Sequence, residues 1–209
     1  MNDVLILVDK QDKEIGTEEK IDAHRKGLLH RAFSLFIYDE RTDKMLIQRR
    51  AINKYHSGGL WTNACCSHPS KGEDLNTAVY RRTIEELGAS IPKADYEIGK
   101  IKECGKFTYR KEFGELTEYE IDHVFAWLVD STILQLAPSK DEIENLMWID
   151  LHDLMKWLEC SPDDFTAWFF HAFEIFMNDF LVKSNMVNLT FSERLNNILQ
   201  KKKEKVSRF

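Results

Sequence analysis

The sequence predicts an α+β fold in which helices cover both faces of a mixed β-sheet. Short apolar or alternating segments, which are typical of strands, are interspersed with a few segments long enough to form helices. These segments do not follow the regular strand–helix alternation that produces a doubly wound parallel sheet. The chain has 209 residues and no internal repeat or low-complexity linker, so we expect one domain over residues 1–209.

The first predicted elements are strands. Residues 4–8 are apolar, and the polar residues 9–13 that follow them are typical of a turn. Residues 31–50 predict a hairpin with its turn at residues 40–44. A further extended stretch is predicted at residues 60–66.

The first predicted helix follows these strands along the chain. A helix is expected over residues 74–87, starting near Asp74 and stopped by Gly88. Later elements are strands at 95–110, 119–129 and 145–149, a short helix at 151–159 and a longer aromatic-rich helix at 165–183. Residues 184–209, with a basic end and a capping box formed by Thr190 and Glu193, are expected to be a peripheral helical or frayed tail.

Composition restricts the function classes. A content of 43% hydrophobic and 31% charged residues suits a globular protein with its own core. The formal net charge of −6 argues against a broad nucleic-acid-binding surface. An anionic ligand must therefore meet a local cluster of Lys and Arg.

Cysteine usage and hydropathy predict a cytoplasmic protein. The four cysteines contain no CxxC pair, and two of them, Cys65 and Cys66, are neighbours, which does not suit a disulfide framework. Free thiols are typical of the reducing cytosol. The N-terminal apolar run is too short for a secretory signal, and no segment approaches the length of a membrane span.

The densest chemical signal is the segment Trp61-Thr62-Asn63-Ala64-Cys65-Cys66-Ser67-His68-Pro69. If this segment is extended, Cys66 and His68 point to one face and Cys65 and Ser67 to the other. One face then presents a thiol beside an imidazole, which suggests a reactive cysteine next to a metal ligand. For an isolated C-x-H, a buried thiol and a hydrogen-bonded core histidine would be the better explanation.

A second signal is the pair of acids in Glu118-Tyr119-Glu120, which strand alternation places on one face. Two adjacent carboxylates repel each other, and a cation between them removes the repulsion. His24 and His30 flank a basic, glycine-containing segment, and imidazole with carboxylate ligands suits Zn²⁺, Mn²⁺ or Mg²⁺. Taken singly, a solvated strand face and surface histidines explain these residues equally well.

Residues 72–88 overlap the Nudix box, G-x5-E-x7-R-E-U-x-E-E-x-G-U, in which U is apolar. The matching positions are Glu73, Arg81, Glu85, Glu86 and Gly88, whereas Ser67 replaces the first glycine and Thr83 an apolar residue. Arg82 stands where the hydrolases carry a glutamate of their Mg²⁺-binding face. This cation should weaken metal binding there and favour phosphate oxygens. The alternative is a solvated helix with an Arg82–Glu86 ion pair.

Basic residues lie upstream of these motifs at Lys20, Arg49, Arg50 and Lys54. In an acidic protein, several cations ahead of a group of candidate metal ligands suggest a diphosphate-binding site. A solvated hairpin end is the alternative explanation.

With these motifs in place, the sequence resembles the type I isopentenyl-diphosphate isomerases over roughly residues 3 to 180. The cysteine-containing segment, the helix ending at Gly88 and the Glu118-Tyr119-Glu120 segment carry the resemblance, and their combination is highly specific. The resemblance implies a Nudix-like fold of α/β/α layers. It also implies the metal-dependent interconversion of isopentenyl and dimethylallyl diphosphate in isoprenoid biosynthesis.

The resemblance further implies a role for each matching residue. Cys66, Glu120, Tyr109 and Trp168 are the implied catalytic residues; His24, His30, His68, Glu118 and Glu120 hold a tightly bound divalent ion (Mn²⁺, Mg²⁺ or Zn²⁺); Glu86 helps bind a Mg²⁺ carried with the diphosphate; and Lys20, Arg50, Lys54 and Arg82 bind the diphosphate. The expected partner is this small-molecule substrate, with no nucleic acid and no membrane, and the chain is expected to be a monomer or a homodimer.

The expected chemistry adds one proton to a carbon–carbon double bond and removes another, through a state with tertiary carbocation character. The Glu120–Tyr109 side is assigned as the proton donor and Cys66 as the opposing base, with the roles exchanged in the reverse direction. Three alternatives stay open: a Nudix hydrolase of nucleoside diphosphate derivatives, a non-enzymatic binding protein of the same fold, and a cysteine protease. The carboxylate pair has no use in the last of these.

Overall fold

The computed structural model describes residues 4–90, 101–178 and 197. Within these residues the strands are β1 (Val4–Val8), β2 (Glu14–Glu19), β3 (His30–Asp39), β4 (Lys44–Arg50), β5 (Trp61–Asn63), β6 (Cys65–Ser67), β7 (Ile101–Phe113), β8 (Leu116–Leu128) and β9 (Ile143–Asp150). The helices are α1 (Lys20–Lys26), α2 (Leu75–Leu87), α3 (Leu151–Cys160) and α4 (Phe169–Ile175), with a 3₁₀ turn at Pro162–Asp164.

The strands form one mixed sheet organised around β3. β3 and β8 pair in parallel, with His30 opposite Glu120 at one end and Tyr38 opposite Leu128 at the other. β3 also pairs antiparallel with β1, β4 and β6, and β8 pairs antiparallel with β7. The predicted mixed sheet is therefore confirmed, and its parallel pair brings two candidate metal ligands side by side.

Helices cover both faces of the sheet, as predicted. Phe36 of β3 packs in one core cluster with residues of α3 and α4, such as Leu154 and Phe169. The neighbouring residue Leu35 packs in a second cluster with Val79 of α2. Because successive residues of a strand point to opposite faces, these clusters lie on the two sides of the sheet and give three α/β/α layers.

Most predicted elements match the structure, including the hairpin, the helix over residues 74–87 and the later strands. The Asp74 carboxylate accepts the backbone N–H of Thr77, and Gly88 ends α2 in the left-handed conformation with φ 58°. No helix within the described residues combines the length and apolar character needed to cross a bilayer. All four cysteines are free.

Two predictions of elements need correction. The stretch at residues 60–66 is two short strands, β5 on β4 and β6 on β3. The helix predicted at residues 165–183 begins at Phe169, because the backbone N–H of Thr166 donates to Trp61 O and ties residues 165–166 to β5.

Two elements were not predicted, namely the polar edge strand β2 and the short helix α1. α1 begins with a Glu19 side-chain cap, a weak signal in a sequence, and ends at Gly27 with φ 60°.

Residues 95–100, 179–183 and the tail at 184–209, apart from residue 197, lie outside the described residues. Thr190 and Glu193 are among them. The assignment of one domain to residues 1–209 stays a prediction.

Gly88 is the position where the end of α2 requires glycine. A Cβ there would lie 2.2 Å from the Ala137 carbonyl oxygen, and the Ala137 backbone is held in place by its N–H bond to Leu87 O. We expect Gly88→Ala to lower the free energy of unfolding by at least ~2 kcal/mol, because left-handed strain of ~1–2 kcal/mol adds to this clash. Urea unfolding measures the loss. Gly72→Ala is the matched control, since φ is 77° there but an added Cβ meets nothing within 4 Å. Equal losses in both variants would contradict this account of Gly88.

Candidate active site

A cleft of about 480 Å³, part of which is open solvent, lies where β3, β6 and β8 approach α2 and the loop between β4 and β5. The predicted site residues that line it are Lys20, Arg50, Lys54, Cys66, His68, Arg82, Glu86, Tyr109, Glu118, Glu120 and Trp168. His24 and His30 are fully buried and adjoin it through their contacts with Glu118 and Glu120. The structure therefore brings all the predicted site residues together.

Four side chains converge on one point beside the cleft. One ligand atom from each of His24, His30, His68 and Glu120 lies within 4.8 Å of all the others. They come from α1, the start of β3, the residue after β6 and the middle of β8, so the site depends on the tertiary fold. Glu118 is next to this group, with Oε1 3.0 Å from His24 Nε2.

The protonation of two histidines provides a test of whether a metal ion fits. Nδ1 of His24 faces the Lys20 carbonyl at 2.5 Å, and Nδ1 of His30 faces the Leu28 carbonyl at 2.9 Å. A carbonyl oxygen only accepts, so each Nδ1 carries a proton, and in a neutral ring Nε2 is then a lone pair. Within the described part of the chain, both buried Nε2 atoms lack a hydrogen-bond partner.

These Nε2 atoms face carboxylate oxygens, at 3.0 Å for His24 with Glu118 and 3.3 Å for His30 with Glu120. Two lone pairs in such contact require a further proton or a cation between them. Imidazole nitrogens and carboxylate oxygens are the donor set that a divalent transition ion or Mg²⁺ accepts. The residues present therefore fit the predicted ion.

The electrostatics of the cluster support the same conclusion. Burial, together with the charges of Lys20 and His30, lowers the pKa of His68 well below its usual value, so its ring is neutral at pH 7. Burial opposes ionisation of Glu120, but a proton held between it and the His30 ring outweighs burial and lowers its pKa to about 2, and a bound cation would take the place of that proton. A neutral imidazole and an ionised carboxylate are the forms that bind metals.

The hydrogen bonds around Cys66 place a proton on its sulfur. Nδ2 of Asn63 donates to the carbonyl oxygens of Leu35 and Cys65, which fixes the amide so that Oδ1 faces the sulfur. The Cys66 thiol donates to this Oδ1 at 3.0 Å and accepts from Trp168 Nε1 at 3.2 Å. Burial and the nearby charge of Asp122 raise the pKa of Cys66 to about 12, in agreement with a neutral thiol.

Tyr109 and Trp168, two predicted catalytic residues, line the same cleft as this thiol. Tyr109 is opposite Glu120 in the β7–β8 register, and its hydroxyl donates to Glu118 Oε2 at 3.5 Å. The guanidinium of Arg50 lies 5.2 Å from the centre of the Trp168 ring. The roles of Tyr109 and Trp168 stay predictions, while their positions on the cleft suit them.

The cationic end of the cleft is held together by acids. Arg82 contacts Glu86 Oε1 at 2.6 Å and Glu142 Oε1 at 3.4 Å, and its Nε donates to Ser67 Oγ at 2.8 Å. Lys54 donates to the other oxygen of Glu142. These contacts hold the lysine and the arginine on the two oxygens of one carboxylate, side by side at this end of the cleft.

Sequence reasoning missed one histidine and two acids of the cleft, namely His56, Asp122 and Glu142. Asp122 has a detectable signal, because it follows Glu120 by two residues in β8 and must share its face. Its Oδ2 accepts a hydrogen bond from Ser34 Oγ at 2.8 Å. His56 and Glu142 belong to no periodic pattern, and only the fold brings them to the cleft.

Similarity to known proteins agrees with this geometry. The NUDIX domain matches residues 28–169. The isopentenyl-diphosphate Delta-isomerase 2 of Photorhabdus laumondii is 43% identical, with 81% of this chain and 89% of that protein covered. The isopentenyl-diphosphate Delta-isomerase of Burkholderia multivorans is 42% identical, with 81% and 90% covered.

Solved structures resemble the fold at low sequence identity. A Deinococcus radiodurans protein has a TM-score of 0.56 at 16% identity, with 76% of this chain and 90% of that chain covered. A MutT protein from Methanosarcina mazei has a TM-score of 0.52 at 21% identity, with 72% and 94% covered. These similarities concern the fold alone.

We expect a divalent ion to stabilise the metal-stripped protein. At 100 times the dissociation constant, binding to the native state adds ~2.7 kcal/mol, which raises Tm by roughly 5–10 °C in a chain of this size. Thermal unfolding with and without Mn²⁺ measures the shift. His68→Ala should lose most of the shift, and His152→Ala, an exposed histidine of α3, should keep it. An equal shift in both variants would exclude His68 as a ligand.

Proposed function

Because the chain belongs to the NUDIX family and, within it, to the isopentenyl-diphosphate Delta-isomerases, we propose that it interconverts isopentenyl and dimethylallyl diphosphate in a metal-dependent reaction. The observation that carries this proposal is the shared cleft of Cys66 and Glu120, with a cationic end in the same cavity. A five-carbon diphosphate matches a site with a proton donor and acceptor at one end and phosphate-binding groups at the other.

The diphosphate binds to the cationic end. Its proposed ligands are Lys20, Arg50, Lys54 and Arg82, which all line the cleft. Charge-assisted hydrogen bonds from guanidinium and ammonium groups are the strong contacts for phosphate oxygens. Glu86, whose carboxylate contacts Arg82, is the proposed ligand of a Mg²⁺ that arrives with the diphosphate.

The second divalent ion has its own proposed ligands, which are His24, His30, His68, Glu118 and Glu120. When bound, this ion supplies positive charge that stabilises the buried carboxylates in their ionised form. The role left to the protein side chains is to hold, give and take protons at the hydrocarbon.

The hydrogen bonds support an order of proton transfer opposite to the one expected from the sequence. The thiol of Cys66 carries its proton, as its bond to Asn63 requires, whereas Glu120 is ionised. From this state Cys66 protonates the alkene, and the π electrons form the new C–H bond and leave a tertiary cation. Glu120 then accepts a proton from the adjacent carbon, and that C–H pair becomes the new double bond. The reverse reaction begins with the roles exchanged.

The cation must be stabilised and kept from water. The π face of Trp168 attracts positive charge by roughly 0.5–2 kcal/mol. Its other proposed function is positional, since its indole N–H contacts the Cys66 sulfur. Water in the cavity would trap the cation as an alcohol, so the aromatic walls also protect the intermediate.

Substitution of Cys66 tests whether its thiol is the general acid of the reaction. We expect Cys66→Ala to lower kcat for isomerisation by roughly 10²–10⁴-fold, the range of general acid–base catalysis, with an unchanged unfolding curve. The rate is followed by NMR on isopentenyl diphosphate with added Mg²⁺. Cys160→Ala, at an exposed thiol, is the control and should retain full activity. Full activity of Cys66→Ala would remove the thiol from the mechanism.

Nucleotide hydrolysis is the competing reaction of the fold. Arg82 contacts Glu85 at 2.7 Å and Glu86 at 2.6 Å, so it reduces the negative charge of the helix face that binds Mg²⁺ in the hydrolases and leaves Glu86 as the one proposed Mg²⁺ ligand there. We therefore expect nucleoside diphosphate derivatives incubated with the protein and Mg²⁺ to release neither phosphate nor monophosphate, as measured by phosphate assay and chromatography. Release at a rate comparable to isomerisation would favour the hydrolase.

A cytoplasmic location remains part of this proposal. The free state of all four thiols supports it.

A further inference from the structure

His56 lies inside the cleft although no motif includes it. It belongs to the loop that joins β4 to β5 (residues 51–60), and only 8% of it is exposed. Its Nε2 lies 2.5 Å from Oε1 of Glu118, and its Nδ1 lies 3.1 Å from Ser57 Oγ. A loop histidine is thus buried against a candidate metal ligand, with both ring nitrogens in polar contact.

The ring of His56 is fixed on several sides. It stacks on Phe113, with ring centroids 4.9 Å apart and 20° between the planes, and it meets Trp168 edge-on at 5.8 Å. The next residue, Ser57, has φ 52°, a left-handed conformation that costs a non-glycine residue ~1–2 kcal/mol. Surrounding packing must maintain that conformation, so the orientation of His56 is determined by the fold.

The positions of the protons on the two imidazole rings identify His56 as a donor to Glu118. Oε1 of Glu118 faces two imidazole nitrogens, Nε2 of His24 and Nε2 of His56. The His24 proton lies on Nδ1, towards the Lys20 carbonyl, which leaves its Nε2 as a lone pair for an ion. Nδ1 of His56 faces the Ser57 hydroxyl, which can donate or accept, whereas Nε2 faces a carboxylate oxygen, which only accepts. The carboxylate therefore decides the tautomer and leaves the His56 proton on Nε2, directed at Glu118.

We propose that His56 is a positioning residue that donates Nε2–H to Glu118 and orients this carboxylate towards the divalent ion. The inference rests on the proposed function, since it assumes an ion held by His24 and Glu118. Partners that orient metal ligands typically change metal affinity by about 10–100-fold when they are lost. His56 follows Lys54 by two residues, so the same loop contributes to the metal end and to the diphosphate end of the cleft.

Two substitutions separate hydrogen bonding from packing. His56→Phe keeps an aromatic ring against Phe113 and loses the donor, whereas His56→Gln keeps an N–H donor and loses the ring. If donation to Glu118 is what matters, His56→Phe should bind Mn²⁺ about 10–100-fold more weakly than wild type. His56→Gln should bind within about 3-fold of wild type, because its amide N–H can replace the imidazole N–H.

The measurement is Mn²⁺ affinity of the metal-stripped full chain, by isothermal titration calorimetry and by competition with a chelator. His152→Ala is the control for loss of an exposed histidine and should bind as wild type does. Urea unfolding of each metal-free variant checks the fold, and His56→Leu is a second donor-free variant should His56→Phe not fold.

The outcomes are distinct. Wild-type affinity in the donor-free variants, or tighter binding by His56→Phe than by His56→Gln, would overturn the proposed donor role. A wild-type chain that binds no Mn²⁺ would overturn the metal dependence of the proposed function, and this inference with it.

Discussion

The burial of ionised carboxylates in β8 is the constraint on which the rest of the site depends. Glu118 and Glu120 are 2% and 6% exposed, and an isolated buried carboxylate would cost several kcal/mol. The parallel register of β3 and β8 places His30 directly opposite Glu120, so a proton or a cation between the two side chains offsets this cost at one point. α1, β6 and the loop at residues 51–60 each bring one more imidazole to the same two acids. Four separate segments thus converge on the same two carboxylates, whose burial requires positive charge beside them.

Strand alternation explains why much of this site could be predicted from the sequence. Alternate residues of a strand lie on one face, so two acids two positions apart in β8 share a face once the segment is extended, and both line the cleft. The same rule predicted Cys66 and His68 on one face and Cys65 and Ser67 on the other. Cys66 and His68 do line the cleft and Cys65 packs in the core cluster with Val79 of α2, but Ser67 also lines the cleft, where its hydroxyl accepts from Arg82. Strand alternation supports such predictions because it depends on local backbone geometry and needs no knowledge of the tertiary fold.

Strand alternation could not predict the site residues that lie in irregular segments. His56 lies in a loop and Glu142 just before β9, and neither position has a period that would indicate its direction. The late start of α4 has a similar origin, because the backbone of Thr166 bonds to Trp61, a residue more than a hundred positions earlier. Long-range contacts of this kind override local propensity, and a single sequence does not reveal them.

The loop at residues 51–60 connects the two chemical requirements of the cleft. The backbone N–H groups of Arg50, Ala51 and Gly59 donate to Leu60, Glu142 and Arg50, so both ends of the loop are tied to the sheet region. Lys54 and His56 therefore stand at fixed positions relative to the cationic end and to the carboxylates. For the proposed five-carbon substrate, the distance between the proposed phosphate ligands and the proposed acid–base groups would decide which carbon meets the proton. A loop pinned by backbone hydrogen bonds keeps this distance constant, and binding energy from the diphosphate can then act on the geometry of the hydrocarbon.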